Sequence, residues 1–118
     1  DILYDLKIDC KIERNGFRPI FLRDLLSQKK LIHHDYTLKF YIDSTDVPGD
    51  YIVKWKLKNV GDEAKRRNCL RGFIENPNLS NNGRKETSNF FGPHYVECYI
   101  IKNGVVVARD RILVPIEH

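Results

Sequence analysis

Apolar residues that return at every second position are the feature that most narrows what this chain can fold into. Leu6, Ile8, Cys10 and Ile12 alternate with Lys7, Asp9, Lys11 and Glu13. Leu38, Phe40 and Ile42 alternate with Lys39 and Tyr41, and Tyr51, Val53, Trp55 and Leu57 alternate with Ile52, Lys54, Lys56 and Lys58. Successive side chains of a strand point to opposite faces, so each run reads as a strand with one buried and one wet face. Short strands are expected at 69–75 and 87–91. Residues 95–101 and 105–109 flank Lys102-Asn103-Gly104, and Asn-Gly between β-branched runs is the strongest hairpin signal in the chain. Residues 111–116 complete the last strand, with Pro115 marking an edge or a strand end.

Turn signals separate these runs: Asn15-Gly16, Pro48-Gly49, a charged stretch at 59–68, an Asn-rich stretch at 76–85, and Gly92-Pro93. Phe21, Leu22, Leu25 and Leu26 recur at helical spacing, which predicts one short helix near 21–28. Residues 29–35 are polar and read as loop. Seven or eight short strands in this order predict an all-β fold, an antiparallel immunoglobulin-like β-sandwich, with a barrel as the alternative. Phe40, Val53, Trp55, Val96 and Ile100 are the expected core. At 118 residues the chain fits one domain, 1–118.

Composition excludes several classes. With 42% hydrophobic and 31% charged residues the chain is globular rather than disordered. No apolar stretch approaches the roughly 20 residues that span a bilayer, so no membrane partner is expected. Residues 1–9 alternate charged and apolar side chains and do not resemble a signal peptide. The chain starts at Asp1 and contains no Met, which reads as a domain excised from a larger chain. Cys10, Cys69 and Cys98 are an odd number without metal-type spacing and read as reduced, buried thiols in a cytoplasmic protein. The triplet Asn78-Leu79-Ser80 then matches a glycosylation acceptor by chance.

Catalytic chemistry finds no support. No nucleophile elbow, phosphate loop or dinucleotide fingerprint is present. His94 and Cys98, four residues apart on a strand, share a face but lie roughly 13 Å apart, too far for a nucleophile and its base. The adjacent His33 and His34 read as solvated loop residues rather than metal ligands. No enzyme, metal or cofactor is expected.

The basic residues are more informative. Lys54, Lys56, Lys58, Lys65, Arg66, Arg67 and Arg71 fall within 18 positions, opposed locally by Asp62 and Glu63. Lys54, Lys56 and Lys58 share one strand face, where like charges repel unless neighbouring strands supply carboxylates or a ligand supplies phosphates. If the strand at 38–42 is adjacent, Lys39 and Tyr41 join that face, giving the cation-plus-aromatic pattern that nucleotide binding uses. The alternative is a solvated face whose lysines discourage aggregation. Arg71, beside Gly72, reads either as an anion ligand or as half of an ion pair with Glu86 or Glu97. The ligand-binding candidates are Arg71, His94, Lys65, Arg66 and Arg67. The net charge of +4 permits an anionic partner without demanding one.

The ordered set W-K-x-x-N-x-G-x-E-A from Trp55, Leu70-Arg71-Gly72, Arg84-Lys85-Glu86-Thr87, G-x-H-x-V-E-C from Gly92, and the Asn103-Gly104 hairpin resembles the adenylyl/guanylyl and SMODS C-terminal sensor domain. The resemblance covers essentially the whole chain. It implies a sensor appended to a nucleotidyltransferase of a bacterial anti-phage system that signals through cyclic oligonucleotides. It also implies a nucleotide-like or other infection-linked ligand and a catalytic centre in the preceding domain. The residues matching the motif are Trp55, Asn59, Gly61, Glu63, Arg71, Gly72, Glu86, His94 and Glu97. A protein-interaction module that docks a partner or the upstream domain is the second reading.

Overall fold

The alternating runs pair into two antiparallel sheets. The computed structural model describes residues 2–59, 73–88 and 93–117, the side chains of residues 58, 59, 73, 93 and 94 excepted. The elements are β1 (Leu6–Glu13), β2 (Ile20–Phe21), α1 (Leu22–Ser27), β3 (Thr37–Thr45), β4 (Ile52–Asn59), β5 (Phe73–Glu75), β6 (Arg84–Thr87), β7 (Pro93–Lys102) and β8 (Val105–Pro115). Their orders are β2-β1-β3-β6 and β5-β4-β7-β8. The result is a β-sandwich with one short helix and not a barrel.

Alternation explains the core. Ile8, Cys10 and Ile12 from β1, with Leu38 and Phe40 from β3, meet Val53 and Trp55 from β4 and Val96, Cys98 and Ile100 from β7, all buried. Trp55 is fully enclosed and packs on Phe40 across the sheets, with ring centroids 6.2 Å apart. Its indole N–H donates to the Asn82 carbonyl oxygen at 2.7 Å. Leu22 and Leu25 of α1 close the core beside β1. The β7–β8 hairpin turns on Asn103 and Gly104, both at positive φ (51° and 76°). A two-residue turn with that sign at both positions matches the right-handed twist of its strands.

Several expectations need correction. Phe21 does not join the helix: it pairs with Lys11 in the two-residue β2, and α1 starts at Leu22. A strand runs from Arg84 to Thr87, starting within the 76–85 stretch read as loop, and residues 89–91 of the strand expected at 87–91 lie outside the described residues. Asn81 and Asn82, at φ 57° and 63°, complete a short 3₁₀ turn over Ser80–Asn82, so the chain re-enters a sheet sooner than composition suggests. Ile32, within the polar 29–35 loop, is buried and bridges Ile116. Lys39 and Tyr41 do not join Lys54 and Lys56, because β3 and β4 belong to different sheets.

Two polar clusters tie the sheets together at their sides. Arg23 donates from Nε to the Ile8 carbonyl at 2.7 Å and from Nη2 to Asp110 at 2.9 Å. The same Asp110 oxygen accepts the Ile8 N–H at 2.9 Å, where a bulge breaks the β1–β3 register. On the other side Arg84 of β6 pairs with Glu86 at 2.9 Å and reaches Glu75 of β5 at 3.9 Å.

Trp55→Ala removes the largest enclosed side chain and leaves the Asn82 carbonyl without its donor. A loss of about 3–5 kcal/mol is expected, read as a lower denaturant midpoint for unfolding. An unchanged midpoint would contradict the central place given to this residue.

Candidate functional site

The outer face of the β5-β4-β7-β8 sheet is built by default. Once Val53 and Trp55 point inward, Lys54 and Lys56 must point out, and the same parity turns Tyr95, Glu97 and Tyr99 of β7 outward. Register aligns these residues in cross-strand rows. Lys54 lies opposite Tyr99, which lies opposite Arg109; Lys56 lies opposite Glu97, which lies opposite Arg111; Lys58 lies opposite Tyr95, which lies opposite Leu113. Exposed Ile52 and Ile74 flank the rows.

Charge on this face is unbalanced. Among the described residues, Lys54, Lys56, Arg109 and Arg111 share the outward positions of these rows with one carboxylate, Glu97. Among the described residues, Lys56, Arg109 and Arg111 form no ion pair within 4.0 Å. Lys54 Nζ donates to the Asn76 side-chain oxygen. The Arg111 guanidinium sits over the Tyr95 ring, 4.9 Å from its centroid. The Tyr99 hydroxyl donates to Glu97 Oε2 at 2.9 Å. Burial, together with that carboxylate, pushes the Tyr99 phenol up to about 12. The face thus offers cations beside two aromatic rings, the groups that hold phosphates and stack on planar bases.

Of the ligand-binding candidates read from the sequence, His94 alone has a described backbone position. Lys65, Arg66, Arg67 and Arg71 lie outside the described residues. The described strand ends that bracket them, Asn59 of β4 and Phe73 of β5, belong to this sheet, and His94 of β7 is the backbone partner of Asn59. The His94 side chain also lies outside the description. Of the two partners considered for Arg71, Glu86 is engaged by Arg84 and Glu97 by the Tyr99 hydroxyl. Arg109 and Arg111 escape a reading of the sequence because β8 lies far downstream of the basic run. Only the hairpin register, itself legible from Asn103-Gly104, brings them beside Lys54 and Lys56.

Nucleophilic and metal readings gain nothing here. Cys98, on the same strand as His94, faces the core with no exposure, and burial pushes its thiol up to about 12. Burial, then the neighbouring Asp9, raises the Cys10 thiol as well. Neither supplies a thiolate near neutral pH. His33 Nδ1 meets Glu117 Oε1, and His34 Nε2 lies 2.7 Å from the Glu117 backbone oxygen. The pair fastens the end of the last strand.

Tyr99 provides a check on this geometry. A phenol whose pKa is raised by folding contributes stability that is intact below about pH 10 and is lost as pH rises toward 12. The difference titration of wild type against Tyr99→Phe should show one late-ionising tyrosine. Glu97→Gln should move that ionisation part of the way back toward 10, removing the carboxylate but not the burial. A wild-type midpoint at 10 would mean that Tyr99 and Glu97 are not bonded.

Among the described residues no helix is long and apolar enough to cross a membrane. No curated protein matches the chain. No solved structure matches it either. The family model described as the adenylyl/guanylyl and SMODS C-terminal sensor domain matches residues 1–117. With that match spanning nearly every residue, the chain belongs to the adenylyl/guanylyl and SMODS C-terminal sensor domain family.

Proposed function

We propose that this chain is a non-catalytic sensor domain that binds a nucleotide-like anion on the outer face of the β5-β4-β7-β8 sheet. The observation that carries the reading is the pairing on one face of Lys54, Lys56, Arg109 and Arg111 with Tyr95 and Tyr99, against one carboxylate, Glu97, among the described residues. Four cations attract phosphates, and two aromatic rings give a base a surface on which to stack. Arg71, His94, Lys65, Arg66 and Arg67 are included in the proposal as further ligand-binding residues on the strength of their chemistry in the sequence. The setting that family membership favours is a bacterial anti-phage system signalling through cyclic oligonucleotides. There the domain is appended to a nucleotidyltransferase and reports ligand binding to it. The raised thiols of Cys10 and Cys98 support a role without covalent catalysis.

A second reading rests on Ile52 and Ile74, which are 58% and 68% exposed on the same face. Apolar groups beside cations also suit docking of a protein partner, such as the upstream catalytic domain. Salt separates the two. For phosphate binding, log K falls against log salt with a slope of about 0.7–0.9 for each phosphate neutralised, whereas apolar docking is nearly flat in salt.

The test is a titration of the chain with a cyclic oligonucleotide at about 50 and about 200 mM salt. Wild type is compared with Arg109→Ala/Arg111→Ala and with Arg66→Ala/Arg67→Ala. Both variants are expected to bind more weakly at low salt and to converge on wild type as salt rises. Their unfolding midpoints should move little, since surface substitutions usually shift stability by less than about 0.5 kcal/mol. Wild-type affinity in the Arg109/Arg111 variant would remove the sheet face from the site. A salt-independent affinity would favour the protein-docking reading.

A further inference from the structure

The opposite sheet carries a second cationic surface of different construction. Lys11 of β1 is paired in register with Lys39 of β3, and Lys39 with Lys85 of β6. Three lysines therefore stand side by side across three strands, on the outward face, at the strand spacing of about 4.8 Å. Like charges directly opposite one another destabilise a sheet, and a face that needs only solubility mixes its signs. The local acid is Glu13, whose Oε1 lies 2.6 Å from Lys39 Nζ. Lys39 together with Lys11 and Lys85 holds the Glu13 carboxyl below its usual range. Among the described residues Lys11 and Lys85 form no ion pair.

A guanidinium completes the surface. Arg14 follows β1 directly, and its Cζ lies 5.5 Å from the Phe17 ring centroid and 5.4 Å from that of Tyr36. Two rings hold the guanidinium plane, and Arg14 also forms no ion pair among the described residues. Beside these groups lies a cleft of about 500 Å³ lined by Glu13, Arg14, Phe17, Asp35, Lys39 and Lys85, among others. That volume lies within the range of small-ligand sites. The lining itself sets three cations, Arg14, Lys39 and Lys85, against Glu13 and Asp35, with Lys11 next in the row.

We propose that this cleft is a second anion site, one that takes a chain of two or more phosphoryl groups across Arg14, Lys39 and Lys85. Adjacent phosphoryl groups fit a row of point charges better than a single carboxylate does. The planar Arg14 fork, kept in place by Phe17 and Tyr36, gives bidentate contacts to one of them. The site lies on the sheet opposite the proposed sensor face, and it stands or falls independently of what that face binds. The phosphoryl chain can be free or part of a nucleoside diphosphate, whose base could reach the exposed ring of Phe17.

The test is calorimetric titration of the full chain with inorganic pyrophosphate and, separately, with a nucleoside diphosphate at low salt. Both probes are expected to bind. Equal affinities assign recognition to the phosphoryl chain alone, and tighter binding of the nucleotide adds the base. Lys11→Glu/Lys85→Glu should weaken pyrophosphate at least about tenfold, since two attractive charges become repulsive. Arg14→Ala should weaken it without reversing any charge. In Arg109→Ala/Arg111→Ala, which removes any binding on the opposite face, the pyrophosphate site that is weakened by Lys11→Glu/Lys85→Glu should persist. Unfolding midpoints show that each variant folds, and Lys85→Gln replaces any variant that does not. Undetectable pyrophosphate binding would overturn the proposal. So would binding that survives the lysine substitutions, or binding that disappears with Arg109 and Arg111.

Discussion

The indole of Trp55 is the contact on which the arrangement of the two sheets depends. It is fully enclosed, so its N–H must find an acceptor inside the protein. The acceptor is the Asn82 carbonyl, on the turn that carries the chain from β5 in one sheet to β6 in the other. One hydrogen bond therefore satisfies the buried donor and fixes where the chain crosses between layers. The ring face meets Phe40 of the opposite sheet, so the same residue sets which faces of β3 and β4 look at each other. With those faces fixed, strand parity assigns every remaining side chain to the core or to one of two wet surfaces.

Ion pairs at the sides finish what the core begins. Asp110 points inward from β8, opposite Cys98, and is balanced by Arg23 and the Ile8 N–H. Without those partners a half-buried carboxylate would be left beside the core. The bulge between Lys7 and Ile8 accompanies this bond, because a ladder N–H cannot also serve Asp110. Arg84, Glu75 and Glu86 perform the matching task between β6 and β5. Part of the β8 edge is covered in turn: Val107 accepts from Leu3 and Tyr4, and Pro115 accepts from Ile32. An edge strand with its carbonyls in use, and with Pro115 near its end, offers less to a foreign strand.

Periodicity made the strands and the core legible, since Phe40, Val53, Trp55, Val96 and Ile100 alternate with polar neighbours over several residues. Asn103-Gly104 made the last hairpin legible because its chemistry is local. Periodicity states which side of a strand is wet but not which strand lies next to it. Lys39 could therefore be assigned an outward face and still be placed on the wrong sheet. β2 is two residues long, too short to show a period, and β6 is hidden in an Asn-rich stretch whose turn residues precede it. The site was legible only in part for the same reason. Lys54 and Lys56 stand out in sequence, but Arg109 and Arg111 reach them through pairing. Arg14, Phe17 and Tyr36 gather through the fold around Arg14, which composition does not register.

Net charge conceals how the charges are distributed. A surplus of four over 118 residues suggests a nearly neutral surface. Asp110, Glu75 and Glu86 are consumed between the sheets by Arg23 and Arg84, so they offset no outward-facing lysine. Asp43 faces Lys7 near the far end of β3, and Asp46 accepts the Asp5 N–H. Among the described residues Glu97 remains among the cations of one outer face, bonded to the Tyr99 hydroxyl, and Glu13 and Asp35 among those of the other, Glu13 held by Lys39. The sandwich therefore sorts charge by layer. Its interior seams hold matched pairs, while each wet face keeps an excess of cations next to aromatic rings. Because the core separates the faces, an anion on one gives little electrostatic relief to the other. Two separately addressable cationic surfaces on a chain of modest net charge follow from that separation.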